Sequence, residues 1–423
     1  MPDSFDSRYS TSRSYNFKVT IGNLDYSGDL TNLKIISSIS RPYQVFELTF
    51  LLDPTDVIIA DKDGNGLFGQ KTINLSTILI GQDEVEKESI DYELVCIGVL
   101  QTKLPIRPLF GEDKKGTEKE RAAYRFTGVP KEAFKTMNTF VNKTYFGKNM
   151  KEILTDLLEN IAGLSKDNYY FDEEYINSNT FEQVILPPTT LNNTLKYLDE
   201  TFGIYSGPLC YFCDFENITY ILNLATWVNL SPAFTIYHLA TDSDESVDLQ
   251  KKTLDGEHFI SYSPIRSDYA GNTKFAVLSK NPTFILKPSD DLYLKVEKDL
   301  TNICSKNGII YKSDYIFLDP TVEQRKRYFT EFTGYEKDDT MVISYLSSEI
   351  ANLTYTSVDL SGNLPLDKLF DVGNSVKLET QTVQYQGVSG NYILHSTEIS
   401  FIKKAEWDSL ATVNLIRTNK LIN

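Results

Sequence analysis

The spacing that most invites chemistry is Cys210-x-x-Cys213, inside LPPTTLNNTLKYLDETFGIYSGPLCYFCDF, residues 186–215. Two cysteines so placed can supply half of a zinc site or form a redox dithiol. Zinc requires two further ligands, and the other cysteines, Cys96 and Cys304, stand singly in the chain. A redox dithiol sits at a helix N-terminus, where the thiol is acidified, whereas here a helical pattern precedes the pair. In an extended strand, side chains three residues apart point to opposite faces. Reduced, buried thiols acting as small hydrophobic groups are the expectation.

DKDGNGLFGQKT, residues 61–72, places Asp61, Asp63 and Asn65 at the alternating positions of a calcium loop, with Gly66 at the turn. The twelfth position, normally a bidentate glutamate, is Thr72. Strand-like flanks favour a hairpin loop instead. His238, His258 and His395 are scattered singly, and no metalloprotease, nucleophile-elbow, phosphate-loop or dinucleotide pattern occurs. Gly387 to Gly390 reads as a hairpin turn, and His238 and His395 as ordinary strand residues. Paired carboxylates for glycoside hydrolysis are positioned by the fold rather than by spacing, so the 58 acids decide nothing here. No catalytic, cofactor-binding or metal residue is assigned.

The composition sets what kind of scaffold must carry these residues. With 24 Phe and 26 Tyr among 423 residues, strands are favoured, and the length suits several domains. A net charge of −16 without a basic block speaks against gripping a phosphate backbone. The acidic patches at 82–93 and 241–248 are expected to be solvated loops. The polar opening MPDSFDSRYSTSRS has no apolar leader and no run is long enough for a membrane helix, so synthesis in a cytoplasm is expected.

Five windows alternate with period two: residues 16–22, 45–53, 71–81, 91–102 and 121–129. They predict a one-sided antiparallel sheet curled into a barrel or sandwich, with residues 103–120 as a long exposed hairpin loop. Next comes KNMKEILTDLLENIAG, where Met150, Ile153, Leu154, Leu157, Leu158 and Ile161 make one helical stripe, Asn149 and Glu152 a capping pair, and Gly163 a stop. A second helix is predicted after Pro187 and Pro188, lined by Leu191, Leu195, Leu198 and Phe202 and ended by Gly203; a hairpin turning at Glu216-Asn217 follows. Later windows predict strands at 232–239, 274–279, 283–288, 308–318, 353–362, 371–379, 390–402 and 411–418, and helices at 291–304 and 338–353. A second barrel late in the chain is implied.

Three segments carry a family resemblance: FTGVPKEAFKTMNTFVNKTYFGKNMKEILTDLLENIAG, then LNNTLKYLDETFGIYSGPLCYFCDFENITYILNL, then the late series LTYTSVDLSGN, PLDKLFDVGNSVKLE and GNYILHSTEISF. In this order they resemble the baseplate or tail hub family of contractile bacteriophage tails, related to late control protein D and to the hub part of type VI secretion spike proteins. Residues 268–335 have no counterpart in the pattern, and the family's Pro-Gly before the late strand is here Val372-Gly373.

The resemblance implies a β-rich α+β fold: two tail-tube-like antiparallel β barrels with an intervening α/β domain. The corresponding boundaries are an arm at 1–14, a first barrel at 15–130, an α/β middle domain at 131–225, and a second barrel at 226–423 with an insertion around 268–335. It also implies a homotrimeric structural hub, not an enzyme and without cofactors, whose barrels mimic the sixfold tail tube. The implied partners are the tail tube protein, a central spike protein, other baseplate components and the tape measure protein. DNA would pass through without specific binding, there would be no membrane insertion, and the virion tail would be assembled in the host cytoplasm. A tail-associated cell-wall or glycan hydrolase and a receptor- or carbohydrate-binding tail protein are the competing functions.

Overall fold

The computed structural model describes residues 14–22, 24–39, 41–52, 72–80, 86–106, 121–205, 209–214, 218–223, 231–238, 258–261, 265–267, 283–289, 292–297, 355–361, 371–380, 389–404 and 406–417. Seven strands come first: β1 (Ser14–Ile21), β2 (Leu24–Asp25), β3 (Leu30–Ser38), β4 (Arg41–Leu52), β5 (Thr72–Ile80), β6 (Glu86–Ile106) and β7 (Arg121–Pro130). The middle region holds α1 (Lys131–Asn138), β8 (Phe140–Val141), β9 (Thr144–Asn149), α2 (Met150–Thr155), β10 (Tyr169–Phe171), β11 (Thr180–Ile185), β12 (Thr189–Thr190), α3 (Leu191–Phe202), β13 (Leu209–Cys213) and β14 (Thr219–Asn223). The last region contributes β15 (Phe234–His238), β16 (His258–Ser261), β17 (Arg266–Ser267), β18 (Thr283–Ser289), β19 (Leu292–Glu297), β20 (Tyr355–Ser361), β21 (Ser375–Thr380), β22 (Gly390–Lys403) and β23 (Trp407–Arg417).

One sheet of 14 strands joins the first and last regions. Its main path runs β16-β15-β21-β22-β3-β4-β7-β6-β5-β1-β2, and β23, β20 and β17 branch from β22. The pleat explains why: β4 alternates strictly between half-buried and buried positions, sending Phe46, Leu48, Phe50 and Leu52 into the core while Glu47 and Thr49 face outward. Each such Phe or Leu contributes about 1.5–3 kcal/mol by leaving water.

The link between the two regions is β22. One edge pairs with β23 along its length. The other pairs with β21 from Gly390 to Ile393 and, past an irregularity between Leu394 and Ser396, with β3 from Ser396 to Ile402. Among the described residues no ring of strands closes. At the far end of the sheet, β1 returns to β22 and β23 through side chains instead: Tyr15 and Phe17 lie 5.2 and 5.1 Å from Phe401, and Phe17 lies 4.8 Å from Trp407. A single apolar core therefore contains residues from both chain ends, from Tyr15 to Leu415.

Several expectations are corrected. The pairing of the long sheet is not purely antiparallel, since β15 runs parallel to both β16 and β21. The acidic stretch at 82–93 is not all loop, because Glu86 to Glu93 belong to β6 and pair with β5. Lys103 to Ile106, expected in a loop, continue β6 against β7. The helix expected from residue 291 is contradicted over Leu292–Glu297, which pairs antiparallel with β18: LYLKVE alternates with period two, as a strand does. The windows 274–279, 308–318 and 338–353, and the acidic patch at 241–248, lie outside the described residues.

The middle region has its own core, built from α2, α3 and the surrounding short strands. The expected capping box is present: Asn149 Oδ1 accepts from the Glu152 N–H at 2.9 Å, and Glu152 Oε2 accepts from the Asn149 N–H at 3.1 Å. After one and a half turns α2 widens into a π-helical segment, Asp156–Ile161, where the Ala162 N–H reaches back to the Leu157 carbonyl at 2.9 Å. The wider turn carries Ile161 partly off the stripe, whereas Met150, Ile153, Leu154, Leu157 and Leu158 are fully buried. Gly163 and Gly203 adopt φ of 70° and 71°, the left-handed conformation each helix stop requires. Residues 131–138, for which the sequence patterning predicts no element, form α1 behind Pro130.

Candidate assembly surface

The side chains that face out from the centre of the long sheet form a polar band across six strands. Thr412 Oγ1 on β23 donates to Asp359 Oδ1 on β20 at 2.7 Å, and Asn414 Nδ2 on β23 donates to Ser396 Oγ on β22 at 2.9 Å. Lys34 on β3 pairs with Glu398 on β22 at 2.6 Å, and Arg125 on β7 with Glu47 on β4 at 3.5 Å. Register produces this order: Lys34 lies opposite Glu47, and Glu47 lies opposite Thr127, one diagonal step from Arg125. Charge thus alternates over Glu398, Lys34, Glu47 and Arg125 on successive strands. Such a row satisfies itself and leaves little net charge to hold a ligand.

Apolar groups border this band. Leu100 on β6 sits opposite Arg125, and Ile402 on β22 lies diagonal to Leu410 on β23; all three are exposed. A second exposed apolar set lies on the middle unit, where Phe146 on β9 and Ile185 on β11 are diagonal neighbours and Phe140 on β8 is 70% exposed. Exposed aromatic and aliphatic side chains on a polar scaffold suit contact with other proteins.

The elements beneath the middle surface are locked by hydrogen bonds. Burial raises the Asp156 carboxyl, but bonds from Lys143 Nζ at 2.5 Å, Tyr145 OH at 2.7 Å and Asn160 Nδ2 at 3.0 Å outweigh it and hold the group below the usual carboxylate range. This ties β9 to the helix. Buried Tyr205, in the Gly-Ile-Tyr segment after α3, donates to the Ile221 carbonyl at 2.7 Å and accepts from the Asp172 N–H at 3.0 Å. Asn177 Nδ2 donates to the carbonyls of Phe202 and Gly203, both at 3.0 Å, closing the end of α3.

The residues first singled out for chemistry are distributed through this scaffold. On β13, Cys210 and Phe212 face the cluster of Ile39, Leu222, Val372, Ile393 and Ile416, while Tyr211 between them faces the middle core. Cys213, by the same alternation, lies on the side away from Cys210. Burial raises both thiols far above their ordinary range, so neither is a thiolate at neutral pH. Cys96 is buried and raised likewise, its thiol donating to the Gly98 carbonyl at 3.5 Å.

His238, His258 and His395 lie on β15, β16 and β22, and burial lowers His395, keeping it neutral. Thr72 opens β5, whereas Asp61, Asp63, Asn65, Gly66 and Cys304 lie outside the described residues. Among the described residues no three His, Cys, Asp or Glu side chains gather to hold a metal ion. None of their helices is long and apolar enough to cross a membrane.

The polar band, Asp156 and Asn177 were not anticipated. No window reveals the band, because its members come from opposite ends of the chain and meet only through the β3–β22 register.

Comparison with known proteins adds the relationship. Residues 108–231 match the model of the family described as Bacteriophage PBS1 gene 109 protein. No curated protein matches by sequence. The structure is similar to the 43 kDa tail protein of prophage MuSo2 from Shewanella oneidensis, with TM-score 0.54 and 12% identity, covering 96% of this chain and 99% of that one. It is also similar to a tail protein from Neisseria meningitidis MC58, with TM-score 0.55 and 9% identity, covering 96% of each. A type VI secretion component of E. coli, the c3393 protein, aligns with TM-score 0.47 and 10% identity over 96% of this chain and 78% of that one. The tail-family resemblance read from the sequence therefore holds: a bacteriophage family model covers the middle of the chain, and over nearly its whole length the chain has the fold of phage tail proteins.

Proposed function

We propose that this chain is a structural hub of a phage tail baseplate, a homotrimeric adaptor that joins the sixfold tail tube to a threefold central spike and lines the DNA conduit. The observation that carries the reading is the fold shared end to end with two phage tail proteins, which leaves almost none of this chain or of either tail protein outside the match. In this reading residues 15–130 and 226–423, on either side of an α/β unit at 131–225, each supply one tube-like barrel, so that three chains present six.

The self-neutralised polar band suits a surface past which DNA slides without specific binding, and the exposed apolar groups on β6, β22, β23 and the middle unit suit contacts with tube, spike, other baseplate components and the tape measure protein. The role is not enzymatic, and its place is the virion tail, assembled in the host cytoplasm. Light scattering and electron microscopy of the purified chain, alone and mixed with its tube and spike proteins, test the reading. A threefold ring with a pseudo-sixfold face is expected. A monomer under every condition, or turnover of cell-wall material abolished by replacing one acid, would overturn it.

A further inference from the structure

Four buried polar side chains converge at one end of the main core, and each carries an oxygen with no hydrogen-bond partner among the described residues: Ser37 Oγ, Gln44 Oε1, Thr397 Oγ1 and the Tyr92 hydroxyl. None of the four residues is more than 3% exposed. Register brings them together. Ser37 on β3 is directly opposite Thr397 on β22. Gln44 on β4 falls in the irregularity between the pairs Ile36↔Val45 and Ser38↔Arg41, beside Ser37. The Tyr92 ring packs against Phe46, two residues along the same face of β4, with centroids 4.8 Å apart. The place is a seam, where the sheet core containing Ile35 and Ile399 gives way to the smaller cluster of Ile39 and Ile393 under the middle unit. Burial raises the Tyr92 hydroxyl, and the Asp371 and Asp214 carboxylates add to that rise.

A buried hydroxyl or amide oxygen without a partner costs about 1–3 kcal/mol. Four together would consume much of a stability margin of about 5–15 kcal/mol. Folded proteins satisfy such groups with internal water, each molecule making about three hydrogen bonds. The chemistry here is complementary to water: the Ser37, Thr397 and Tyr92 hydroxyls donate or accept, and Gln44 Oε1 accepts. We infer that this seam is an internal water-binding site in which ordered water bridges Ser37, Gln44 and Thr397, with Tyr92 at its margin. The water solvates the joint where the middle unit docks on the sheet, beside the bond from the Tyr211 N–H to the Ile39 carbonyl at 2.7 Å.

The double variant S37A/T397V of the full chain gives opposite signs for a wet and a dry seam. If water bridges the hydroxyls, removing both breaks its hydrogen bonds and Tm falls by about 2–4 °C. If the seam is dry, the variant removes two unsatisfied groups and Tm rises, overturning the inference. A wild-type crystal structure decides independently of whether the variant folds. Density for water at about 2.6–3.2 Å from at least two of the four oxygens is expected. Direct contacts among the side chains with no intervening density would overturn the site, as would a cation at about 2.4 Å from both carboxylates.

Discussion

Phe401→Ala tests how the first strand is held. Phe401 is fully buried and touches both Tyr15 and Phe17, at 5.2 and 5.1 Å in edge-to-face geometry. Truncating a buried Phe to Ala costs about 3–5 kcal/mol in transfer and cavity terms, and the lost aromatic pairs are part of that sum. The buried face of β1 is held by these rings and by Trp407, and its backbone pairs laterally with β5 along the whole strand and with β2 at Thr20 and Ile21. The cost therefore falls first on β1. A local penalty of about 3 kcal/mol corresponds to roughly a hundredfold faster opening. Hydrogen exchange read by mass spectrometry should show that loss of protection on residues 14–21 and a much smaller change on β4 and β7 at the sheet centre. Phe401→Leu, which refills most of the volume, should restore most of the protection. If β1 protection survives Phe401→Ala, a hydrogen-bonded ring rather than side-chain packing closes the sheet, and the reasoning fails.

Three further outcomes follow from local geometry. Gly203→Ala forces a side chain into φ 71° and should lower stability by about 1–2 kcal/mol, read as a reduced urea midpoint. Asn149→Ala removes one half of the capping box and exposes an N–H at the start of α2, a loss of about 1 kcal/mol by the same measurement. Asp156 has a folded pKa below its unfolded value, so its contribution is complete above the unfolded value near 3.9 and disappears as pH falls through the lower folded one. Asp156→Asn should therefore lower the urea midpoint at pH 6 and flatten its decline from pH 5 to pH 2.5. A variant whose acid limb parallels the wild type would show that the network around Asp156 does not couple to folding.

The legible parts of this fold are those whose physics is local. The α2 stripe with Asn149, the α3 stripe with Gly203, and the alternation in β4, β5 and β22 each lie within one window, and each element is present. Elements decided by partners were harder to read. LTNLKIISS alternates weakly because Ile36 faces outward, so β3 becomes evident only between β4 and β22. Eight residues are too few for α1 to show a periodic face, and its buried positions are only Ala133 and Thr136. For β19, apolar residues at 292, 294 and 296 fit period two, while the longer 291–304 window also admits a helix; the adjacent β18 decides between them. The cysteine pair was resolved by the pleat of a single strand, whereas the polar band required the pairing of distant strands.

That pairing also shapes what kind of body the chain makes. Because β22 exchanges β21 for β3 at the Leu394/Ser396 irregularity, the strands that close the sequence are hydrogen-bonded to those that open it. The two strand-rich regions are consequently one mechanical unit, with the middle region inserted between them in sequence and docked on the sheet through β13. Backbone ladders run from β23 through β22 into β3 and β4. The same arrangement makes folding dependent on contacts of very long sequence separation, such as Ser38 with Ser396, and so favours slow folding that cannot finish until the late strands are available. The early strand β3 therefore gains its full set of partners only once β22 is in place.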